Sequence, residues 1–293
     1  MGKFALLIAC GNYRNSEFPI LRSPVKDVEK MKAVLEDSSR GEFSSVEISI
    51  DPDRQSISEQ IDELFSGRKK DDLLLLYFSG HGIKDERGKL YLASCDAEKN
   101  DHGGLTKSRV VSATFVHDLM SGSRSGRQII ILDCCFSGAF AEGLLAKDDA
   151  SVELESQLGG EGRVILTSST ALQYSFESKG LETSIYTQFL VEGMETGAAD
   201  RDNDGWISIH ELHEYAKQKV CEVEPNMKPE IYSVKEGFKI LLSRVVGSTR
   251  KKLPQDWGTA PDLLSFFGRD RELEILKEQV LVGNCRLVTL VGM

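Results

Sequence analysis

The chain has 293 residues, enough for one large domain or for one domain with an appendage. With 40% hydrophobic and 28% charged residues and only seven prolines, it reads as a soluble globular protein rather than a disordered, collagen-like or membrane-embedded one. Lys plus Arg number 36 against 46 Asp plus Glu, a net charge of −10, and no basic tract is interleaved with aromatics; nucleic acid and anionic membrane are therefore not expected partners.

The first apolar run, Phe4 to Cys10, is too short for a signal-peptide core or a membrane span and reads as a buried strand. Leu6 stands where a myristoylation motif needs Ser or Thr, so no lipid anchor is indicated. Further strand-length apolar runs follow at Val46 to Ile50, Leu73 to Phe78, Gln128 to Leu132 and Val164 to Leu166. Helix-like stretches separate them: Val25 to Asp37, Ser56 to Phe65 and Ala113 to Met120. Strands buried on both faces and alternating with helices predict an α/β fold with a mostly parallel sheet. Two later helices are expected at Ile185 to Thr196 and Ile209 to Cys221, and Phe238 to Leu242 reads as a closing strand or a short helix.

From residue 246 the composition turns to Gly, Pro, Ser and charge without periodicity, which marks a linker over 246–262. A helix signature and an apolar strand fill 263–293, and the strand ends in a glycine turn at Met293, which points to a longer parent protein. The six cysteines (Cys10, Cys95, Cys134, Cys135, Cys221, Cys285) show no CxxC spacing, so reduced thiols and a cytoplasmic location are expected.

Two strands run into chemically loaded turns. Leu73 to Phe78 leads to Ser79-Gly80-His81-Gly82, and Gln128 to Leu132 leads to Asp133-Cys134-Cys135-Phe136-Ser137-Gly138. Ligands bind at the carboxyl ends of strands in an open parallel sheet, so a histidine and a cysteine delivered there can meet over one crevice. An imidazole in reach of a cysteine favours the thiolate nucleophile and can protonate a leaving amine. The neighbouring glycines let backbone N–H groups approach a developing oxyanion. His81 alone or the cysteines alone would read as packing, and zinc held by His81, Cys134 and Cys135 lacks ligand spacing.

The segments LLLLYFSGHG, IIILDCCFSG and LLIACGNYRN, the last followed by LRSPVKDVEKM, resemble the caspase-like cysteine peptidases and in particular their metacaspase and orthocaspase branch. The resemblance covers roughly residues 1–245 and implies a caspase-like three-layer sandwich. It assigns His81 as general base and acid, and Cys135, in a D-x-C-x-S-G pattern, as nucleophile, with the amides of Gly82 and Cys135 as oxyanion hole. The 54-residue spacing of the two is a trait of that family and enters with the resemblance. Cys134 falls at the variable position. Metacaspase likeness further implies that Asp27, Ser79 and Asp133 line the pocket for the residue before the scissile bond. An acidic pocket accepts Arg or Lys, so cleavage after basic residues is expected, and the departure from the QAC-x-G signature of animal caspases agrees. The competing roles for Asp27 are helix cap or exposed helix face.

A second constellation, DRDNDGWISIHE from Asp200 to Glu211, matches the twelve-residue EF-hand calcium loop. Its ligands would be Asp200, Asp202, Asp204, the Trp206 carbonyl, Ser208 through water and a bidentate Glu211, with Gly205 at the sharp turn. The pattern occurs once, whereas EF-hands usually pair, so a solvated acidic connection between two helices is the competing reading. No cofactor is required for the chemistry; a calcium requirement, as in some metacaspases, would appear as different cleavage rates in chelator and in millimolar calcium.

Residues 142–163 occupy the place of the caspase intersubunit linker, and Lys147 is the candidate self-cleavage site there, against a loop left intact. The tail over 263–293 resembles the start of a signal-transducing NTPase domain of the NB-ARC or NACHT type, without its phosphate loop. That likeness implies an effector peptidase of bacterial defence or cell-death signalling, oligomerising through the missing NTPase. A catalytically silent caspase-homology scaffold and a calcium-binding interaction module are the rival readings.

Overall fold

Alternation along the strands decides how the layers form. In the computed structural model, which describes residues 1–15, 18–85, 89–100, 104–134, 162–168, 182–234 and 240–247, six strands make the main sheet: β1 (Lys3–Ala9), β2 (Ser45–Ile50), β3 (Leu73–Ser79), β7 (Arg127–Asp133), β8 (Arg163–Thr167) and β10 (Glu230–Val234). Their order is β10-β8-β7-β3-β1-β2, all parallel except the edge strand β10, which runs antiparallel to β8. These residues belong to one compact unit, Met1–Lys251.

Residues pointing to one face, among them Leu7, Leu75, Tyr77, Ile131 and Leu166, pack against α1 (Ser23–Glu36), α4 (Ile185–Thr196) and α5 (Ile209–Val223). Those pointing to the other face, among them Ile8, Leu76, Phe78, Leu132 and Cys134, pack against α2 (Arg54–Phe65) and α3 (Ala113–Gly122). Every residue of β3 is buried, as a strand covered on both sides requires. A smaller sheet of β4 (Gly82–Lys84), β5 (Leu90–Ala93) and β6 (Val110–Ser112) joins the second face, and β9 (Trp206–Ser208) pairs with β11 (Leu241–Arg244).

Side-chain oxygens start most of the helices. Asp53 accepts the N–H of Ser56 ahead of α2, Ser112 that of Phe115 ahead of α3, and Ser184 that of Thr187 ahead of α4. Ser208 and Glu211 form a reciprocal capping box on α5. Helix α1 instead begins with Pro24 in its first turn, where the missing N–H costs nothing. Gly197, at φ +75°, closes α4 in the left-handed conformation that glycine adopts without strain.

The expected α/β class, the five expected strands and the five expected helices are all present, with ends shifted by at most two residues. Of the apolar run expected at Phe238 to Leu242, the described end, Leu241 and Leu242, opens strand β11 (Leu241–Arg244), which pairs with β9 instead of closing the main sheet; Phe238 lies outside the described residues. Cys135, Lys147 and the helix and strand expected in 263–293 lie outside the described residues. No described helix is long and apolar enough to cross a membrane.

Candidate active site

Strands β3 and β7 run in register from Leu73 opposite Arg127 to Ser79 opposite Asp133, so their carboxyl ends finish side by side. The chain leaving β3 stays against its neighbour: the Gly80 N–H donates to the Asp133 carbonyl at 3.4 Å. A Cβ on Gly80 would sit 3.0 Å from the Tyr13 hydroxyl oxygen and 3.1 Å from Cys10 Cβ, so the sharp turn into His81 needs glycine for room.

His81 follows in a shell built by the loop after β1. Its own N–H donates to the Tyr13 hydroxyl at 2.9 Å, and that hydroxyl donates to the Cys10 carbonyl at 2.9 Å. The Tyr13 ring lies over the imidazole with centroids 4.8 Å apart, and Phe18 flanks it at 6.1 Å. The ring Nε2 is 2.8 Å from the Pro19 carbonyl oxygen. A carbonyl can only accept, so Nε2 carries the proton and Nδ1 is the basic atom of the neutral ring. Asp51 holds the loop in place by accepting the N–H groups of Gly11 and Asn12 and the Asn12 side chain. The imidazole is thus only 2% exposed, and its tautomer is fixed by backbone.

Two carboxylates lie at the same end of the sheet. Asp27 of α1 is 0% exposed and Asp133 at the end of β7 is 2% exposed. Burial of a charge is tolerated only with hydrogen bonds, and these are supplied in full view of one another. Ser79 Oγ donates to Asp27 Oδ2 at 2.9 Å, and the Ser184 N–H donates to Asp27 Oδ1 at 2.8 Å. Ser184 Oγ also donates to Asp133 Oδ2, which the Thr187 hydroxyl reaches at 2.8 Å. The Tyr77 hydroxyl stands 2.6 Å from Thr187 Oγ1. Burial, and then the negative charges of Asp27 and Asp133, push the Tyr77 phenol well above its ordinary pKa, so it stays protonated and donates to Thr187.

The structure therefore brings Asp27, Ser79 and Asp133 together and puts His81 two residues beyond Ser79. Gly82 opens β4 opposite Leu92 of β5. Cys134 is fully buried on the α2/α3 face, whereas Asp133 is bonded to residues at the start of α4. Tyr13, Pro19, Ser184 and Thr187 were not singled out from the sequence; only the Ser ahead of an apolar helical run signals Ser184, and nothing local signals the carbonyl of Pro19.

The acidic loop sits at the far end of α4. Asp200, Asp202 and Asp204 bring carboxylate oxygens within 4.8 Å of one another, a donor set suited to a hard cation such as calcium. Loop amides already use them: the Gly205 N–H donates to Asp200, the Asp204 N–H to Asp200 and Asp202, and the Trp206 N–H to Asp204. Glu211 accepts from the amides of Arg201 and Asp202 with one oxygen and from Ser208 with the other. Strand β9, formed by the middle of the loop, pairs antiparallel with β11.

Comparison with known proteins bears on the family and the fold. A family model described as a caspase domain matches residues 2–239. Among solved structures, protein GSU0716 from Geobacter sulfurreducens superposes with a TM-score of 0.55 over 83% of this chain and 100% of its own, at 12% identity, a likeness of fold alone. Among curated proteins, the uncharacterized WD repeat-containing protein alr2800 of Nostoc sp. is 55% identical over 38 residues, which is 13% of this chain and 3% of that far longer protein. The chain belongs to the caspase domain family, cysteine-type peptidases built on a mixed α/β fold.

Proposed function

We propose that the protein is an endopeptidase that cuts after Arg or Lys, with Cys135 as nucleophile and His81 as general base and acid. The observation that carries the specificity is the pair of buried carboxylates, Asp27 and Asp133, joined through Ser184 beside the turn that bears His81. Two negative charges at the carboxyl ends of the strands offer a cationic side chain bidentate and charge-assisted bonds, and offer an acidic one only repulsion.

The chemistry follows from the fixed tautomer. His81 Nδ1 takes the Cys135 thiol proton, and the thiolate attacks the scissile carbonyl carbon. The tetrahedral oxyanion is met by the N–H groups of Gly82 and Cys135. On collapse, His81 gives its proton to the leaving amine and a thioester remains. Water, deprotonated by the same Nδ1, attacks the thioester; the carboxylate product leaves and the thiol is restored. The Pro19 carbonyl stabilises the imidazolium that forms at each half-reaction by holding Nε2–H.

The likeness of residues 263–293 to the start of a signal-transducing NTPase supports a wider role as effector of a bacterial defence or cell-death protein, with assembly through that NTPase. The test is a fluorogenic panel with Arg, Lys or Asp before the reporter, run on wild type and Cys135→Ala in chelator and in millimolar calcium. Cleavage after Arg and Lys that disappears in Cys135→Ala is expected. Cleavage after Asp, or none with the Arg and Lys reporters, would sink the proposal.

A further inference from the structure

The two carboxylates come from different elements, α1 and β7, yet a single residue touches both. Ser184 donates its backbone N–H to Asp27 Oδ1 at 2.8 Å and its hydroxyl to Asp133 Oδ2. Its Oγ also accepts the Thr187 N–H at 3.1 Å, which fixes the Ser184 rotamer as the cap of α4. Thr187, one turn on, donates to the same Asp133 oxygen at 2.8 Å and is itself backed by Tyr77. A polarised chain thus runs from the Tyr77 hydroxyl through Thr187 to Asp133, with Ser184 closing it onto Asp27.

We propose that the first turn of α4, through Ser184 and Thr187, is the positioning element that makes this pocket select arginine over lysine. The inference rests on the reading of Asp27 and Asp133 as the pocket for the basic residue. A guanidinium is a planar fork whose gain depends on where two carboxylates stand and how they are turned, whereas an ammonium on a flexible stem adapts to either. Ser184 and Thr187 both hold Asp133 by Oδ2, which fixes the rotation of that carboxylate, and the Ser184 bridge fixes its place relative to Asp27. Their role is exerted through the carboxylates they orient.

The test uses the whole 293-residue chain with Ser184→Ala, Ser184→Thr, Thr187→Val and Asp133→Asn, each checked by thermal melting. Ser184→Ala removes the hydroxyl but keeps the N–H bond to Asp27. It should raise KM for an Arg reporter about tenfold with kcat within about twofold, and raise KM for a Lys reporter by less than about threefold, so that the Arg over Lys preference falls. Thr187→Val should act in the same direction, and Ser184→Thr, which keeps the hydroxyl, should restore the preference. Titration calorimetry with arginine amide and lysine amide reads the same selectivity independently of turnover. If Ser184→Ala and Thr187→Val leave the Arg to Lys ratio unchanged while Asp133→Asn weakens both substrates, the positioning role is wrong and the pocket stands. If Asp133→Asn changes neither KM nor amide binding, or wild type binds neither amide, the pocket reading fails and takes this inference with it.

Discussion

Two regions of the molecule gather aspartates, and they solve the problem of like charge in opposite ways. At the carboxyl end of the sheet, Asp27 and Asp133 are buried, and among the described residues their donors include the hydroxyls of Ser79, Ser184 and Thr187 and the Ser184 amide. At the far end of α4, Asp202 and Asp204 are exposed and are satisfied by the amides of their own loop. Burial removes the solvent that would screen and hydrogen-bond a carboxylate, so each buried oxygen must find a donor from another element. The exposed loop needs only its own turn geometry, because water supplies the remainder. Long-range donors make the first cluster specific in shape and costly to alter, while short-range ones leave the second tolerant of change.

The largest effect should come from Asp27→Asn. The amide NH2 must face either the Ser184 N–H, which cannot turn, or Ser79 Oγ, which can reverse and accept, so the fold survives while half the pocket charge is lost. Removing one partner of a buried, hydrogen-bonded ionic contact costs roughly 2 to 5 kcal/mol, and kcat/KM on an Arg reporter should fall on the order of 100-fold or more. The matching change in the exposed loop, Asp202→Asn, should leave kcat/KM in chelator within about twofold. Equal losses in the two variants would show that the buried pair has no special tie to substrate.

The unequal range of these contacts also explains what could be read in the amino-acid order. Each strand buried on both faces is a run of consecutive apolar residues, and each helix opens on a capping side chain or, in α1, a proline and carries a 3.6-residue apolar period, so Leu73 to Phe78 and Ile209 to Cys221 announce themselves. Strands β4, β5 and β6 are three or four residues long, too short for any period to show, and the edge strand β10 reads EIYSV, apolar and polar by turns with a leading charge. The acidic loop is visible because the amides that its aspartates accept from lie within the same twelve residues. The shell of His81 is not, because Tyr13 and Pro19 meet it across 68 and 62 residues, and Ser184 meets Asp27 across 157. His81 and the two aspartates stand out as candidates from their motifs; the groups that hold them in the fold do not.

A third buried polar group tests the same contrast at smaller amplitude. His213 of α5 is fully buried, its Nδ1 lies 3.1 Å from the hydroxyl of Tyr186 in α4, and its Nε2 has no hydrogen-bond partner among the described residues. Burial first, and then the positive charges of Lys217 and His210, bring its pKa from 6.5 down to about 3. Above 6.5 both folded and unfolded histidine are neutral and contribute no pH dependence. Between 6.5 and about 3 only the unfolded chain takes the proton, so stability falls as the pH falls. From pH 7 to pH 5 this contributes a loss of about 2 kcal/mol at 1.36 kcal/mol per pKa unit, read as a drop in urea midpoint. His213→Phe should flatten that limb, and an unchanged acid limb in the variant would place the effect elsewhere.

The smallest expected effect belongs to the exposed cluster. Partial burial, countered by the Asp204 N–H and reinforced by the charges of Glu211, Asp204 and Asp200, raises the Asp202 carboxyl above its ordinary value of 3.8. Folded Asp202 therefore holds its proton to higher pH than unfolded Asp202, so its ionisation at neutral pH works against the fold, and the penalty fades as the pH drops through the carboxylate range. Asp202→Asn keeps the acceptor for the Asp204 N–H and removes one of the crowded charges. In chelator it should stabilise the chain by a few tenths of a kcal/mol at pH 7 and by less at pH 4. A rise in wild-type melting temperature on adding millimolar calcium, absent in Asp202→Asn, would show the loop holding a cation whose affinity outweighs this repulsion. With no such rise, the charges are there for solvent, and the capping of α5 by Glu211 is what the twelve-residue pattern supplies to the fold.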